Sequence, residues 1–349
     1  MKITDLRALL EGYSAEQLRL LAVETYKLLP KRVREDSAID DLMRDPRPRP
    51  RSTGKKRTEP PPDIEDLAEE VGEFLAFAGR QYYIAPNRFV PKKERPKWRF
   101  LVKRFVRQLT EAAGDEEALP QAADLFARLY QLLCLASGQW VFNTDEPFRS
   151  VGIEQADFLR QVLTLARARL PPDDYVPHAL ELVTESELDR STVSTELISV
   201  LVEQLPTPAL KEMAIAAATR KIAETDREQA AARREARNRT RQAPAFGSQS
   251  SDYRVRERIN RLAETGFRCH LALGETDAAV RYFERYLRER DPEVKLYVLL
   301  SQLHQLRLKE QWLAAYEDAV KKGVRPREGV RKAYRAMREG GRLPANLSW

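Results

Sequence analysis

Apolar residues recur along this chain at the three- and four-residue spacings of a helix, and runs of β-branched residues are nearly absent, so helices are the expected elements. The first apolar set is Ile3, Leu6, Leu9 and Leu10. The second is Leu18, Leu21, Ala22, Tyr26 and Leu29, opened by a capping box of Ser14 and Gln17 and ended by Pro30. A short third helix is expected from Ser37 to Met43. Three helices this small supply little core, so the module is expected to lean on something else.

The pattern then breaks. Arg44 to Arg51 alternates with Pro46, Pro48 and Pro50, Lys55-Lys56-Arg57 follows, and Pro60-Pro61-Pro62 closes the stretch. Proline removes amide donors and disfavours helix in the residue before it, so 44–62 reads as a solvated linker. Helical spacing resumes with Asp63 as a cap and Ile64, Leu67, Val71, Phe74, Leu75 and Ala78 as one face. Further helices are expected at Leu119 to Ala136, Ile153 to Leu170, His178 to Leu182, Ser191 to Leu205, and from Pro208 onward. Pro171-Pro172 terminates one of them, and Pro208 sits at a first helical position.

No Gly or Pro interrupts Ala209 to Ala243; as one helix it would run roughly 50 Å. Its second half has no large apolar residue and cannot bury a face, so it is either a solvated helix or a frayed linker. Beyond the Pro/Gly/Ser-rich stretch that follows, helices fall at about 254–273, 276–290, 293–306, 309–322 and 327–339, punctuated by Gly274, Pro292 and Gly323. The expected organisation is therefore a helical module at 1–43, a linker at 44–62, a helical body at 63–242, a loop at 243–253 and a repeat region at 254–349. The expected fold class is all-α, with a separate helical body and an α-solenoid-like array of helical hairpins.

Gly274, Ala279, Phe283 and Pro292 stand where a tetratricopeptide repeat has its turn glycine, small residue, aromatic and closing proline, so residues 274–292 resemble the second half of such a repeat. Tyr286 departs from the pattern, standing where the family has a small residue. Residues 312–334, with Ala319 to Pro326, look as much like the pentatricopeptide relative. The resemblance covers under a third of the chain. It implies at least two stacked hairpins and a protein-binding surface, or an RNA-binding one for the pentatricopeptide kind.

Charge adds a second picture. The net charge is +7, 32% of residues are charged, and Arg outnumbers Lys more than two to one. Arg-rich surfaces suit phosphate or carboxylate partners. Arg88, Lys92, Lys93, Arg95, Lys97, Lys103, Arg104 and Arg107 are interleaved with aromatics that include Phe89, Trp98, Phe100 and Phe105. On a helix after Pro96, Trp98, Leu101, Val102, Phe105 and Leu109 share one side. Lys103, Arg104 and Arg107 share the other, and Phe100 falls among them. An aromatic inside a basic face is what single-stranded RNA or DNA binding uses. The alternative is that Phe100 packs beneath a neighbouring helix and the cations pair with Glu65, Asp66, Glu69, Glu70 or Glu73. A second basic face, Arg327, Arg331, Lys332, Arg335 and Arg338, lies opposite Val330, Ala333, Tyr334 and Met337.

Candidate chemistry is sparse. Three histidines, His178, His270 and His304, lack a second ligand at metal spacing, and phosphate-loop, dinucleotide, zinc-protease and nucleophile-elbow motifs are missing from the sequence. Cys134 and Cys269 form no disulfide framework or CxxC motif, which suggests a reducing compartment. No signal-peptide or membrane-spanning stretch is recognisable. The expectation is a cytoplasmic, non-enzymatic scaffold or adaptor with no cofactor, holding a partner protein in repeat grooves; the alternative is a nucleic-acid-binding protein acting through residues 88–107.

Overall fold

Capping and breaking residues set where each helix begins and stops. The computed structural model of the chain describes residues 3–29, 39, 43, 63–239, 248–342 and 344; among these, all regular structure is helical and no strand occurs. The chain divides into two units, Met1–Pro60 and Pro61–Trp349. The first holds α1 (Ile3–Glu11) and α2 (Ala15–Leu28). Ser14 Oγ accepts the Gln17 amide at 3.3 Å while Gln17 Oε1 accepts the Ser14 amide at 2.8 Å, forming the capping box. No residue of α2 is buried. The expected helix from Ser37 to Met43 and the linker 44–62 lie outside the described residues, except for Ile39 and Met43.

The second unit opens with α3 (Ile64–Gly79), whose Glu65 amide is accepted by the Asp63 carboxylate at 2.9 Å. A 3-10 turn, Arg95–Lys97, leads into α4 (Trp98–Ala112). Then come α5 (Leu119–Gly138), α6 (Pro147–Val151), α7 (Gln155–Arg169), α8 (Pro172–Thr184), α9 (Ser194–Glu203) and α10 (Pro208–Arg239). α8 is longer than the expected His178–Leu182, because Pro172 serves as its first residue and Asp173 and Asp174 suit its electropositive first turn. α10 stays helical to Arg239. Ala214, Ala217, Ala218 and Ile222 bury its first half, while the stretch from Arg227 to Arg237 is Ala, Arg, Glu and Gln, residues that favour helix without burial.

The core of this body is aromatic. Trp98 stacks on Phe142 at 3.9 Å between ring centroids, and Phe74 lies 6.2 Å from Phe142. Farther along, Phe126, Tyr130, Phe148 and Phe158 meet in edge-on and tilted pairs. Fully buried Gln155 ties the α7 N-terminus to the loop after α8. Its amide donates to Glu187 O at 2.9 Å and its carbonyl accepts from Asp189 N at 2.8 Å.

The remaining helices are α11 (Ser248–Ala272), α12 (Thr276–Tyr286), α13 (Pro292–Gln305), α14 (Lys309–Lys321) and α15 (Glu328–Arg338). Their bounds follow the sequence expectation with two corrections. The helix expected at 276–290 ends at Tyr286, where Leu287 turns extended and leaves 287–290 as a turn before Pro292. Residues 248–253 were expected to extend the 243–253 loop but are helical. Ser and Asp are at home in the first turn of a helix, so a polar stretch there does not mark a loop. Residues 240–247 lie outside the described residues. The turn glycines Gly274 and Gly323 adopt φ of +80° and +90°, which L-residues rarely take. α11 packs along α12, α13 packs along α14, and α15 follows on α14. These are helical hairpins sharing a second core of Phe267, Phe283, Leu300, Leu303, Trp312 and Val330, among others.

α11 belongs to both cores. Ile259, Leu262 and Cys269 face the body, whereas Ala263 and Phe267 face the hairpins, and every residue from 261 to 267 is buried. Such a helix must leave room for its neighbours. At Gly266 an added Cβ would stand 2.2 Å from Tyr282 Cε1 on α12. Tyr282 cannot swing away freely, because its hydroxyl meets Thr219 Oγ1 at 3.1 Å and its ring lies against His270 and Tyr286. Gly266→Ala is therefore expected to destabilise the fold by about 1–3 kcal/mol through overpacking. Urea unfolding checks this, and pairing the change with Tyr282→Val should cost less than the sum of the two.

Candidate binding clefts

The basic aromatic segment is positioned by one asparagine. Asn87 Nδ2 donates to Tyr82 O and Ala85 O at 2.6 and 2.7 Å, and Asn87 Oδ1 accepts from the Phe89 and Val90 amides at 3.0 and 2.7 Å. This closes the turn after α3 and presents Phe89 at the surface, 46% exposed and stacked on Tyr82 at 5.0 Å. Arg88 lies over the Phe89 ring at 5.1 Å. Nothing in the spacing of this loop singled out Asn87; its role is visible only once the backbone groups it closes upon are placed.

α4 divides as expected. Trp98, Val102, Phe105 and Leu109 are buried, and Leu101 is half-buried. Phe100 is 56% exposed, with the Arg99 guanidinium 4.9 Å from its centroid, so it does not pack beneath a neighbour. The cations fall into two groups. Arg104 pairs with Glu70 at 2.9 Å, Lys97 pairs with Glu94 at 2.9 Å, and Arg95 Nε donates to Val90 O at 3.1 Å. Arg88, Lys92, Lys93, Arg99, Lys103 and Arg107 are exposed and meet no carboxylate among the described residues. Between α3 and α4 runs an open groove of about 580 Å³ lined by Phe77, Phe89, Phe100 and Leu101 together with Glu70, Glu73 and Glu94.

The second basic face is mostly paired. Arg327 meets Glu293 at 3.3 Å, Arg331 meets Glu328 at 2.7 Å, and Arg338 meets Glu317 at 3.7 Å. Lys332 and Arg335 are exposed without such a partner among the described residues. Exposed pairs of this kind contribute little to stability and leave only a modest field.

Between the hairpins lies a smaller cleft of about 320 Å³. α12 meets α13 and α14 only sparingly, and the gap is walled by Phe283, Leu287, Leu296, Leu299 and Val324, with Ala319 at its edge. Glu284, Asp318, Lys295 and Lys322 stand at its lip. Burial pulls the Lys295 ammonium below its usual range.

The groups that could carry reaction chemistry are tied into the fold. His270 Nδ1 lies 2.7 Å from Glu275 Oε2, and His304 Nε2 lies 2.6 Å from Pro344 O. Burial lowers the pKa of His178 and raises the Cys134 thiol to about 11 and the Cys269 thiol to about 12. Tyr83, Tyr175 and Tyr282 are likewise pushed to about 12 by burial. These shifts have a consequence at high pH. Unfolded thiols and phenols ionise near ~8.5 and ~10, so the folded state holds its protons longer. The stability they confer is complete below about pH 8.5 and is lost as pH rises toward 12. The urea midpoint is expected to fall steadily between pH 9 and 11, and a flat profile would contradict this.

Among the described residues no helix is long and apolar enough to cross a membrane. No family model, no curated protein and no solved structure matches the chain.

Proposed function

We propose that this protein is a non-enzymatic scaffold that holds a segment of a partner protein between its C-terminal helical hairpins. The observation that carries the reading is the apolar cleft bounded by α12, α13 and α14. Its walls are aliphatic and aromatic, and its lip bears two carboxylates and two ammonium groups. A recess of this kind suits one or two large apolar side chains, while charges at the rim select what flanks them. The segment it fits is a short helix or strand with a Leu-, Phe- or Met-type anchor.

The test is a peptide-display screen against the full chain and its Ala319→Trp variant, in which the indole fills the cleft. Enriched peptides should share an apolar anchor and bind the variant at least tenfold more weakly. Absence of enrichment, or equal binding to both proteins, would reject the reading.

A second reading, nucleic-acid binding through α4, is favoured by the six cations that lack a carboxylate partner around exposed Phe100. Phosphate binding releases counterions and falls steeply with salt. Binding to single-stranded RNA or DNA that steepens at low salt, and collapses in Lys103→Glu/Arg107→Glu, would support it. The hairpin cleft ranks first because its apolar surface is recessed, whereas Phe89 on the basic surface is already engaged by Tyr82 and Arg88.

A further inference from the structure

A further cleft, of about 700 Å³, adjoins the α12–α13 connection. It is formed by α10, the start of α11, the turn after α12 and the first turns of α13. Its lining combines two kinds of side chain. Val255, Ile259 and Leu287 supply apolar wall, with the Tyr253 ring 56% exposed. Arg256, Arg285, Arg288, Arg290 and Lys295 supply cations, with Asp226 and Glu289 the carboxylates of the lining among the described residues.

The turn carrying these cations is built, not loose. Asn260 Oδ1 accepts the Arg288 amide at 2.7 Å, and Asn260 Nδ2 donates to Arg288 O at 3.4 Å. The Arg288 guanidinium is held by Asp226 at 2.5 Å, which cancels its charge. The Glu289 carboxylate accepts the Arg290 backbone amide at 2.7 Å. Lys295 donates to Glu284 O. Arg256, Arg285 and Arg290 meet no carboxylate among the described residues; Arg256 lies over Tyr253 at 5.6 Å and Arg285 over Tyr286 at 5.2 Å. Three guanidiniums without a carboxylate partner among the described residues thus line one recess, and planar guanidinium forks bind phosphate oxygens in pairs.

We propose that this cleft binds a nucleoside polyphosphate, its phosphates on Arg256, Arg285 and Arg290 and its base against Tyr253 and the apolar wall. The volume lies within the range of small-molecule sites, and the pairing of an apolar wall with a few convergent charges is their usual composition. Arg256 lies over the Tyr253 ring, which at 56% exposure still offers surface on which a base can stack without demanding its identity. This site is independent of the hairpin cleft reading, although Leu287 and Lys295 line both recesses.

The experiment is calorimetric titration of the full chain with ATP, tripolyphosphate and adenosine near physiological salt. ATP is expected to bind saturably, tripolyphosphate more weakly, and adenosine not measurably. Each of Arg256→Ala and Arg290→Ala should weaken ATP binding by about tenfold or more, the worth of a charge-assisted hydrogen bond. Tyr253→Ala should weaken ATP but leave tripolyphosphate unchanged. Lys103→Ala/Arg107→Ala, on α4 and outside the lining of the cleft, should leave ATP binding as in the wild type. These substitutions are at exposed or half-exposed cations and a surface ring, and unchanged helical circular dichroism would show that the fold is retained. Absence of saturable ATP binding, arginine variants that bind like the wild type, or equal loss in the α4 variant would overturn the site. Tripolyphosphate binding as tightly as ATP would overturn the nucleoside assignment.

Discussion

Replacing Glu264 by Ala is expected to destabilise the second unit by about 3–5 kcal/mol, because it removes one partner of a largely buried ion pair. Glu264 lies on α11, 8% exposed, and its Oε1 is the acceptor on which three helices converge. Thr195 of α9 donates to it at 2.8 Å, Arg268 Nε one turn along α11 at 3.0 Å, and Gln302 of α13 at 3.3 Å. Arg268 in turn donates to Gln302 Oε1 at 2.8 Å. Without the carboxylate, the guanidinium stays mostly buried with only an amide oxygen to meet it. Glu264→Gln should cost less, about 1–2 kcal/mol, since the amide oxygen still accepts while the charge is lost. Glu264→Ala/Arg268→Ala should cost less than the sum of its parts. Urea unfolding of the wild type, Glu264→Ala, Arg268→Ala and the double variant gives the cycle, and additive losses would show that the pair is not coupled.

Trp312→Ala is expected to cost a similar 3–5 kcal/mol, for a different reason. The indole is fully buried in the hairpin core, the largest such side chain among the described residues. It stacks with Tyr316 at 5.9 Å, and Tyr316 stacks with Tyr334 of α15 at 4.2 Å. Truncation opens a cavity beneath that ladder, and neighbouring helices can close it only partly. Its Nε1 is buried without an acceptor among the described residues. Trp312→Phe should therefore cost much less than Trp312→Ala, since it removes an unsatisfied donor together with part of the ring. The hairpins contact mainly their neighbours, so the damage should be local. Hydrogen exchange is expected to quicken in α14 and α15 before it does in α3 to α7. Uniform loss of protection through the whole unit would contradict this.

Much of the helix map was legible from the chain. Gly274 and Gly323 marked two of the C-terminal turns, because a left-handed backbone stops a helix through local geometry alone, and Pro292 marked the start of α13. The end of α12 at Tyr286, several residues before Pro292, was not legible from the chain. The α4 wheel correctly assigned Trp98, Val102, Phe105 and Leu109 to the buried side, since a 3.6-residue period fixes which residues share a face. The polar stretch 248–253 misled for the same local reason, as Ser and Asp serve both turns and first helical turns. The basic segment was visible as a candidate, but the division of its cations was not. Arg104 and Lys97 are neutralised by Glu70 and Glu94 while Lys103 and Arg107 meet no carboxylate, and helical position alone does not distinguish them.

By itself, then, the sequence determined that this protein is helical, where most of its helices start and stop, and which side of each is apolar. Those are properties of neighbours a few residues apart. The tertiary structure decided what each face meets. Periodicity marks α11 as a helix but does not reveal that it serves two cores. It does not reveal that Gly266 is the place where Tyr282 lies against the backbone, or that Thr195 and Glu264, separated by 69 positions, share a hydrogen bond. Both clefts arise where packed helices fail to close completely against one another, the hairpin cleft between consecutive helices and the larger one where α10 meets the turn after α12. A pattern of apolar spacing reports that a surface is to be covered; only the packed chain shows what covers it and where it is left open.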